Sequence, residues 1–118
     1  MEKLIQEYFE AFSKKDIVKL AELYDDNIVL SEWNENMFSG KAEVIQANLE
    51  LFWKFDSINI TILSTGIDQL HNISLNEILV NLDGQLVRVV DVIKIMNNKI
   101  QFIMAYRGFD LLTNEVIL

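Results

Sequence analysis

The chain changes its hydrophobic rhythm near residue 57. Before that point, apolar residues recur at intervals of three and four. Leu4, Ile5, Tyr8, Phe9 and Phe12 form one stripe of a first helix. Ser13-Lys14-Lys15-Asp16 breaks the stripe, and Asp16 offers the short side-chain acceptor of an N-cap. A second helix then buries Ile17, Leu20, Ala21, Leu23 and Tyr24, and Asp25-Asp26-Asn27 ends it. Ile28 to Trp33 reads as a short strand, with Ile28, Leu30 and Glu32 on one face and Val29, Ser31 and Trp33 on the other. Asn34 to Gly40 reads as a polar loop carrying Met37 and Phe38. A third helix follows, with Val44, Ile45, Asn48, Leu49 and Phe52 inward and Lys41, Glu43 and Glu50 outward.

From Ser57 the period becomes two and β-branched residues dominate. Asp83-Gly84 and Asn97-Asn98 both suit two-residue hairpin turns. The first turn sets Leu82 opposite Gln85 and Ile78 opposite Val89. The second sets Ile95 opposite Ile100 and Ile93 opposite Phe102. Both counts place Val87, Val89, Asp91, Ile93 and Ile95 on one face, joined by Ile78, Val80, Phe102, Met104 and Tyr106. On the opposite face Val90, Val92, Ile103 and Ala105 are apolar, and Arg88 falls across from Arg107 with Glu77 diagonal to Arg88. Like charges opposed on a sheet repel unless an acid lies between them, so this outer face is expected to pack against a second copy in a homodimer. Helices followed by an antiparallel meander indicate an α+β fold, three N-terminal helices covering one face of a bent sheet and enclosing an apolar pocket.

Composition narrows the function. The 118 residues suit one domain, and just over half of them are hydrophobic, which asks for a full core, a lined pocket or a subunit interface. Ten basic against eighteen acidic side chains leave a net charge of −8, which disfavours nucleic acid and anionic membrane surfaces. Without cysteine, and with a single histidine, the usual metal ligand sets are missing, so neither metal nor cofactor is expected. The acidic, amphipathic N-terminus is unlike a signal peptide, and no apolar run is long enough to span a bilayer, so a cytoplasmic location is the default.

Four polar residues then stand out on apolar faces. Asp91 is a mid-strand carboxylate among valines and isoleucines, which must be protonated, paired or beside a solvated cavity. Its cross-strand neighbour is Asn76. Glu32 shares a face with Ile28 and Leu30, either in the pocket or in water at a sheet edge. Tyr8 brings a hydroxyl into the stripe of the first helix. Asn48 lies in the inward stripe of the third, lining a cavity or tying helix to sheet. His71 falls in a loop between strands, at the surface.

The succession EYFEAFSKKDIVKLAELYDDNIVL, FSGKAEVIQANLELFW and LVRVVDVIKIMNNKIQFIMAYRGF resembles the nuclear transport factor 2-like superfamily, and within it the SnoaL-like and ketosteroid isomerase-like branch. The resemblance covers nearly the whole chain, residues 1–118 as one SnoaL-like domain. It implies a cystatin-like cone, a bent sheet wrapped around three helices, dimeric through its outer face. It also implies a catalytic set: Glu32 at the position of the carboxylate base, and Tyr8 and Asp91 at the positions of the oxyanion-binding tyrosine and neutral acid. Asn48 matches a supporting polar position. Glu32 stands where those enzymes carry aspartate, and Trp33 where they carry proline.

Two functions therefore remain open at the level of sequence. One is an isomerase or lyase that moves a proton α to a carbonyl of a small apolar substrate. The other is a non-catalytic small-molecule-binding or dimerisation module. In either, Phe12, Asn48, Phe52, Val89, Phe102, Met104 and Tyr106 are expected to line the pocket.

Overall fold

A computed structural model describes residues 1–33 and 35–111, with side chains through residue 108. Helix α1 (Glu2–Ser13) carries the predicted stripe, burying Ile5, Tyr8, Phe9 and Ala11. Helix α2 (Ile17–Leu23) starts where Asp16 accepts a hydrogen bond from the Lys19 amide at 3.0 Å. It ends one residue earlier than the pattern suggests, because Tyr24 already has extended backbone and opens strand β1 (Tyr24–Glu32). The segment expected to be a loop contains a second strand, β2 (Asn36–Ser39), paired antiparallel to β1; Asn34 lies outside the described residues. Gly40 then turns the chain into α3 (Lys41–Lys54) at φ 90°, a conformation a side chain would strain.

The corner between α1 and α2 is fastened to the far end of α3. The Lys15 ammonium donates to the carbonyl oxygens of Phe52 at 2.9 Å, Phe55 and Asp56 at 3.0 Å. Phe52 lies in the last turn of α3 and Phe55 and Asp56 just beyond it, so the ammonium sits at the carbonyl end of the helix, where the dipole favours a cation.

Strands β3 (Ile58–Asp68), β4 (Ile73–Leu82), β5 (Gln85–Met96) and β6 (Lys99–Leu111) complete a six-stranded sheet in the order β2-β1-β6-β5-β4-β3. All neighbouring pairs are antiparallel except β1 and β6. Both predicted hairpins are present, with Asp83 and Gly84 at φ 52° and 96° and Asn97 and Asn98 at 54° and 59°, the paired positive values of a type I′ turn. Leu82 faces Gln85, Ile78 faces Val89 and Asn76 faces Asp91, as the pattern predicts.

The last strand departs from expectation. Ile95 pairs with Ile100 as predicted, but Lys94 then pairs with Phe102, leaving Gln101 as an extra residue in a β-bulge. Beyond the bulge Ile93 faces Ile103 and Asp91 faces Ala105. Strand β1 repeats the assignment from the other side, setting Leu30 beside Ile103 and Glu32 beside Ala105. A one-residue slip moves every following side chain to the other face. Ile103 and Ala105 are therefore buried against the helices, while Phe102, Met104 and Tyr106 face outward.

The core fills the concave side, where α1 and α3 pack against β3 and β1. Tyr24, Leu20, Ile28, Ile93, Ile100 and Val87 are fully buried there. Among the described residues no helix is long and apolar enough to cross a membrane.

Candidate functional site

The helices do not fill the concave side completely. A cavity of about 60 Å³ remains, lined by Tyr8, Phe9 and Phe12 from α1, Asn48 and Leu51 from α3, and Leu30, Glu32 and Trp33 from β1 and its end. Ile60, Ile78, Val80, Leu82, Val89, Asp91, Ile103 and Ala105 supply the sheet wall. Half-buried Phe12, Glu32, Trp33, Leu51 and Ile60 form the rim, while Tyr8, Asn48, Val89 and Asp91 are buried deeper.

Period two carries Asp91 to this wall between Val89 and Ile93, and its side chain is only 5% exposed. No hydrogen bond reaches its carboxyl group among the described residues. Burial pushes its pKa from 3.8 up to about 7. Asn76 does not rescue it: the Asn76 amide donates to the Asp91 backbone carbonyl at 3.4 Å, while its own oxygen accepts from Thr65 and Ser74.

Tyr8 reaches the cavity from the opposite side, and its ring lies 5.9 Å from Phe12 and 6.4 Å from Tyr24. Burial, then the neighbouring Tyr24, Asp91 and Glu32, hold its hydroxyl well above the ordinary tyrosine range, so it keeps its proton and acts as a donor. Glu32 lines the cavity on the same side as Leu30 and is half-buried at its rim. Burial first, then repulsion from Glu35 and Glu50, raises its pKa.

Asn48 does both things open to it. Its Oδ1 accepts a 2.6 Å hydrogen bond from the buried Tyr24 hydroxyl, which ties α3 to β1. With the oxygen engaged, the amide NH₂ is the group left to face the cavity. Tyr24 was legible as buried, but its part in orienting Asn48 was not, since that pairing joins residues 24 positions apart.

Four expected lining residues are not there. Phe102, Met104 and Tyr106 lie on the outer face because of the Gln101 bulge, with the Tyr106 hydroxyl donating to the Met104 sulfur. Phe52 stands behind the wall, its ring 5.1 Å from that of Phe12 and edge-on to it. In their place the structure brings in Ile103, Ala105 and Trp33. Trp33 was expected on the opposite face to Glu32. Its backbone adopts φ 52°, which breaks the alternation at the strand end, and its amide donates to the Ala105 carbonyl at 2.8 Å.

The two arginines are also not opposed. Arg107 pairs with Val89, on the cavity side, and its guanidinium lies 4.7 Å from the centre of the Trp33 ring. Arg88 remains on the outer face, where its Nε lies 3.3 Å from Glu77 Oε2, an ion pair off the hydrogen-bond axis. His71 is exposed in the β3–β4 loop with Nδ1 2.7 Å from Asp68 Oδ2. Among the described residues no group of three or more His, Asp or Glu is placed to hold a metal ion.

No protein-family model matches the chain, and no curated protein matches it in sequence. Solved structures do match. A putative ketosteroid isomerase from Kribbella flavida superposes with TM-score 0.80 at 13% identity, over 91% of this chain and 76% of the other. An epoxide hydrolase of M. tuberculosis similar to LEH superposes at 0.75 and 14% identity, over 90% and 80% of the two chains. A protein of ketosteroid isomerase-like fold from Catenulispora acidiphila, solved in complex with trimethylamine, superposes at 0.76 and 10% identity, over 87% and 83%. The chain has the nuclear transport factor 2-like, cystatin-type α+β fold. That fold carries several chemistries, so the function must be argued from the cavity.

Proposed function

We propose that the chain is a proton-transfer enzyme acting α to the carbonyl of a small apolar substrate. Glu32 takes the proton from carbon, and the electron pair released moves onto the carbonyl oxygen. Tyr8 and protonated Asp91 donate hydrogen bonds to the enolate oxygen, and Glu32 returns the proton to carbon. The observation that supports this is the convergence of one acidic rim residue and two buried hydroxyl-bearing groups on a single otherwise apolar cavity. A carboxylate and two neutral donors on facing walls are what enolisation requires.

The test is deuterium incorporation from D₂O into the α positions of cyclopentanone and acetone, followed by proton NMR at pH 6. Exchange above the buffer rate, lost when the protein is heat-denatured, is the expected result. Exchange at the buffer rate for both ketones rejects the catalytic reading and leaves a non-catalytic binding or dimerisation module. The complex of a fold neighbour with trimethylamine supports a small-molecule occupant in either case.

The outer sheet face supports a homodimer. Leu75, Val90 and Tyr106 are exposed there beside half-buried Val92, Phe102 and Met104. Arg88 Nε is buried there, and among the described residues it finds no hydrogen bond. Light scattering at micromolar concentration should give twice the chain mass, and a monomer there would exclude this pairing.

A further inference from the structure

We propose that Trp33 sets the size limit of the site, which takes small carbonyl compounds that carry no negative charge. This rests on the proton-transfer reading for the word carbonyl, but the size and charge limits stand on the cavity itself. A volume of about 60 Å³ is far below the ~300 Å³ and upward of ordinary ligand pockets. It has room for a few heavy atoms, not for a fused-ring ligand.

Trp33 is the largest side chain on the rim, and two features hold it there. Its left-handed backbone, unusual for a bulky residue, turns the indole inward where strand alternation would have sent it out. The Arg107 guanidinium, brought to the same side by the Gln101 bulge, then lies over the ring. An indole stacked under a cation and anchored through its amide to Ala105 is poorly placed to swing away for a larger guest.

Charge limits the guest further. Glu32 and Asp91 are the charged residue types lining the cavity, and Glu35 and Glu50 add to the negative field at Glu32. An anionic guest is repelled. The donors that face the space, the Tyr8 hydroxyl and the Asn48 amide, call for an acceptor oxygen on the guest.

Ligand-observed NMR titrations separate these claims, using cyclopentanone, 2-decalone and cyclopentanecarboxylate on the wild type and on Trp33→Gly and Trp33→Phe. Glycine is at home at φ 52°, so Trp33→Gly loses the indole while relieving the backbone. The wild type should bind cyclopentanone at least tenfold more tightly than the other two. Trp33→Gly should move the decalone-to-cyclopentanone ratio by about tenfold towards the larger ketone, a span typical of pocket size discrimination, and Trp33→Phe should move it less. An unchanged ratio in Trp33→Gly, with the far-UV spectrum intact, overturns the size limit. Wild-type binding of cyclopentanecarboxylate at the strength of cyclopentanone overturns the charge limit, and so does failure of cyclopentanone to bind at all. Size-selective binding without α-proton exchange would reject the catalytic reading alone and leave Trp33 as the filter.

Discussion

At pH 8 the Asp91→Asn variant is expected to be more stable than the wild type, by on the order of 4 kcal/mol. The folded chain holds the Asp91 proton up to about pH 7, whereas the unfolded chain releases it near the ordinary value of 3.8. Between those values the native state binds more protons than the unfolded state, so wild-type stability falls as pH rises from about 4 to 7 and is level above. A separation of about three pH units corresponds to roughly 4 kcal/mol, at about 1.4 kcal/mol each. Asparagine has nearly the same shape and no charge, so it avoids that loss. Urea unfolding of both proteins at pH 3, 6 and 8 gives the check. The two should converge at pH 3 and diverge upward; a difference that does not vary with pH would mean that Asp91 titrates at its ordinary value. The same substitution should weaken catalysis, since a carboxylic acid donates a stronger hydrogen bond to an enolate than an amide does. Stability gained where activity is lost marks a residue retained for its chemistry.

Glu32→Gln is expected to lower kcat for α-proton exchange by 10²–10⁴-fold, the range usually supplied by a positioned general base. Binding of cyclopentanone should change little, because the amide occupies the same place on the rim and, among the described residues, no side-chain hydrogen bond from Glu32 holds the fold. The wild-type profile of kcat/KM against pH should be bell-shaped. Its rising limb lies above the ordinary glutamate value, since burial and the Glu35 and Glu50 charges raise Glu32, and its falling limb lies near 7, where Asp91 loses its proton. In Glu32→Gln the rising limb should vanish from whatever activity remains. A variant with wild-type turnover would remove Glu32 from the mechanism.

Much of this arrangement could be read from the chain, and the exceptions have physical causes. Asp83-Gly84 and Asn97-Asn98 gave away their turns because paired positive φ values select those residues, and the turns placed Asp91 on the inner face beside Asn76. Tyr8 and Asn48 followed from helical spacing alone. The bulge at Gln101 left no such mark. Phe102, Met104 and Tyr106 are as apolar as Ile103 and Ala105, so both registers of the last strand offer a credible core face, and the hairpin count could not detect the extra residue. Trp33 was misassigned for a related reason: alternation holds only while the backbone stays extended, and nothing about a tryptophan announces a left-handed turn. The opposition of Arg88 and Arg107 fell with the same slip. Tyr24 was assigned to a helix one residue too long, which hid its bond to Asn48.

The Gln101 bulge has a bearing on how this chain can change over evolutionary time. Along β6 neighbouring codons answer to separate selective demands. Positions 103, 105 and 107 are read by the guest and by Trp33, while 102, 104 and 106 are read by whatever meets the convex surface. Point substitutions can therefore alter the cavity wall and the convex surface one at a time. A single-codon deletion at 101 would do the opposite and exchange the two sets in one event, which makes length, more than identity, the guarded property of this strand.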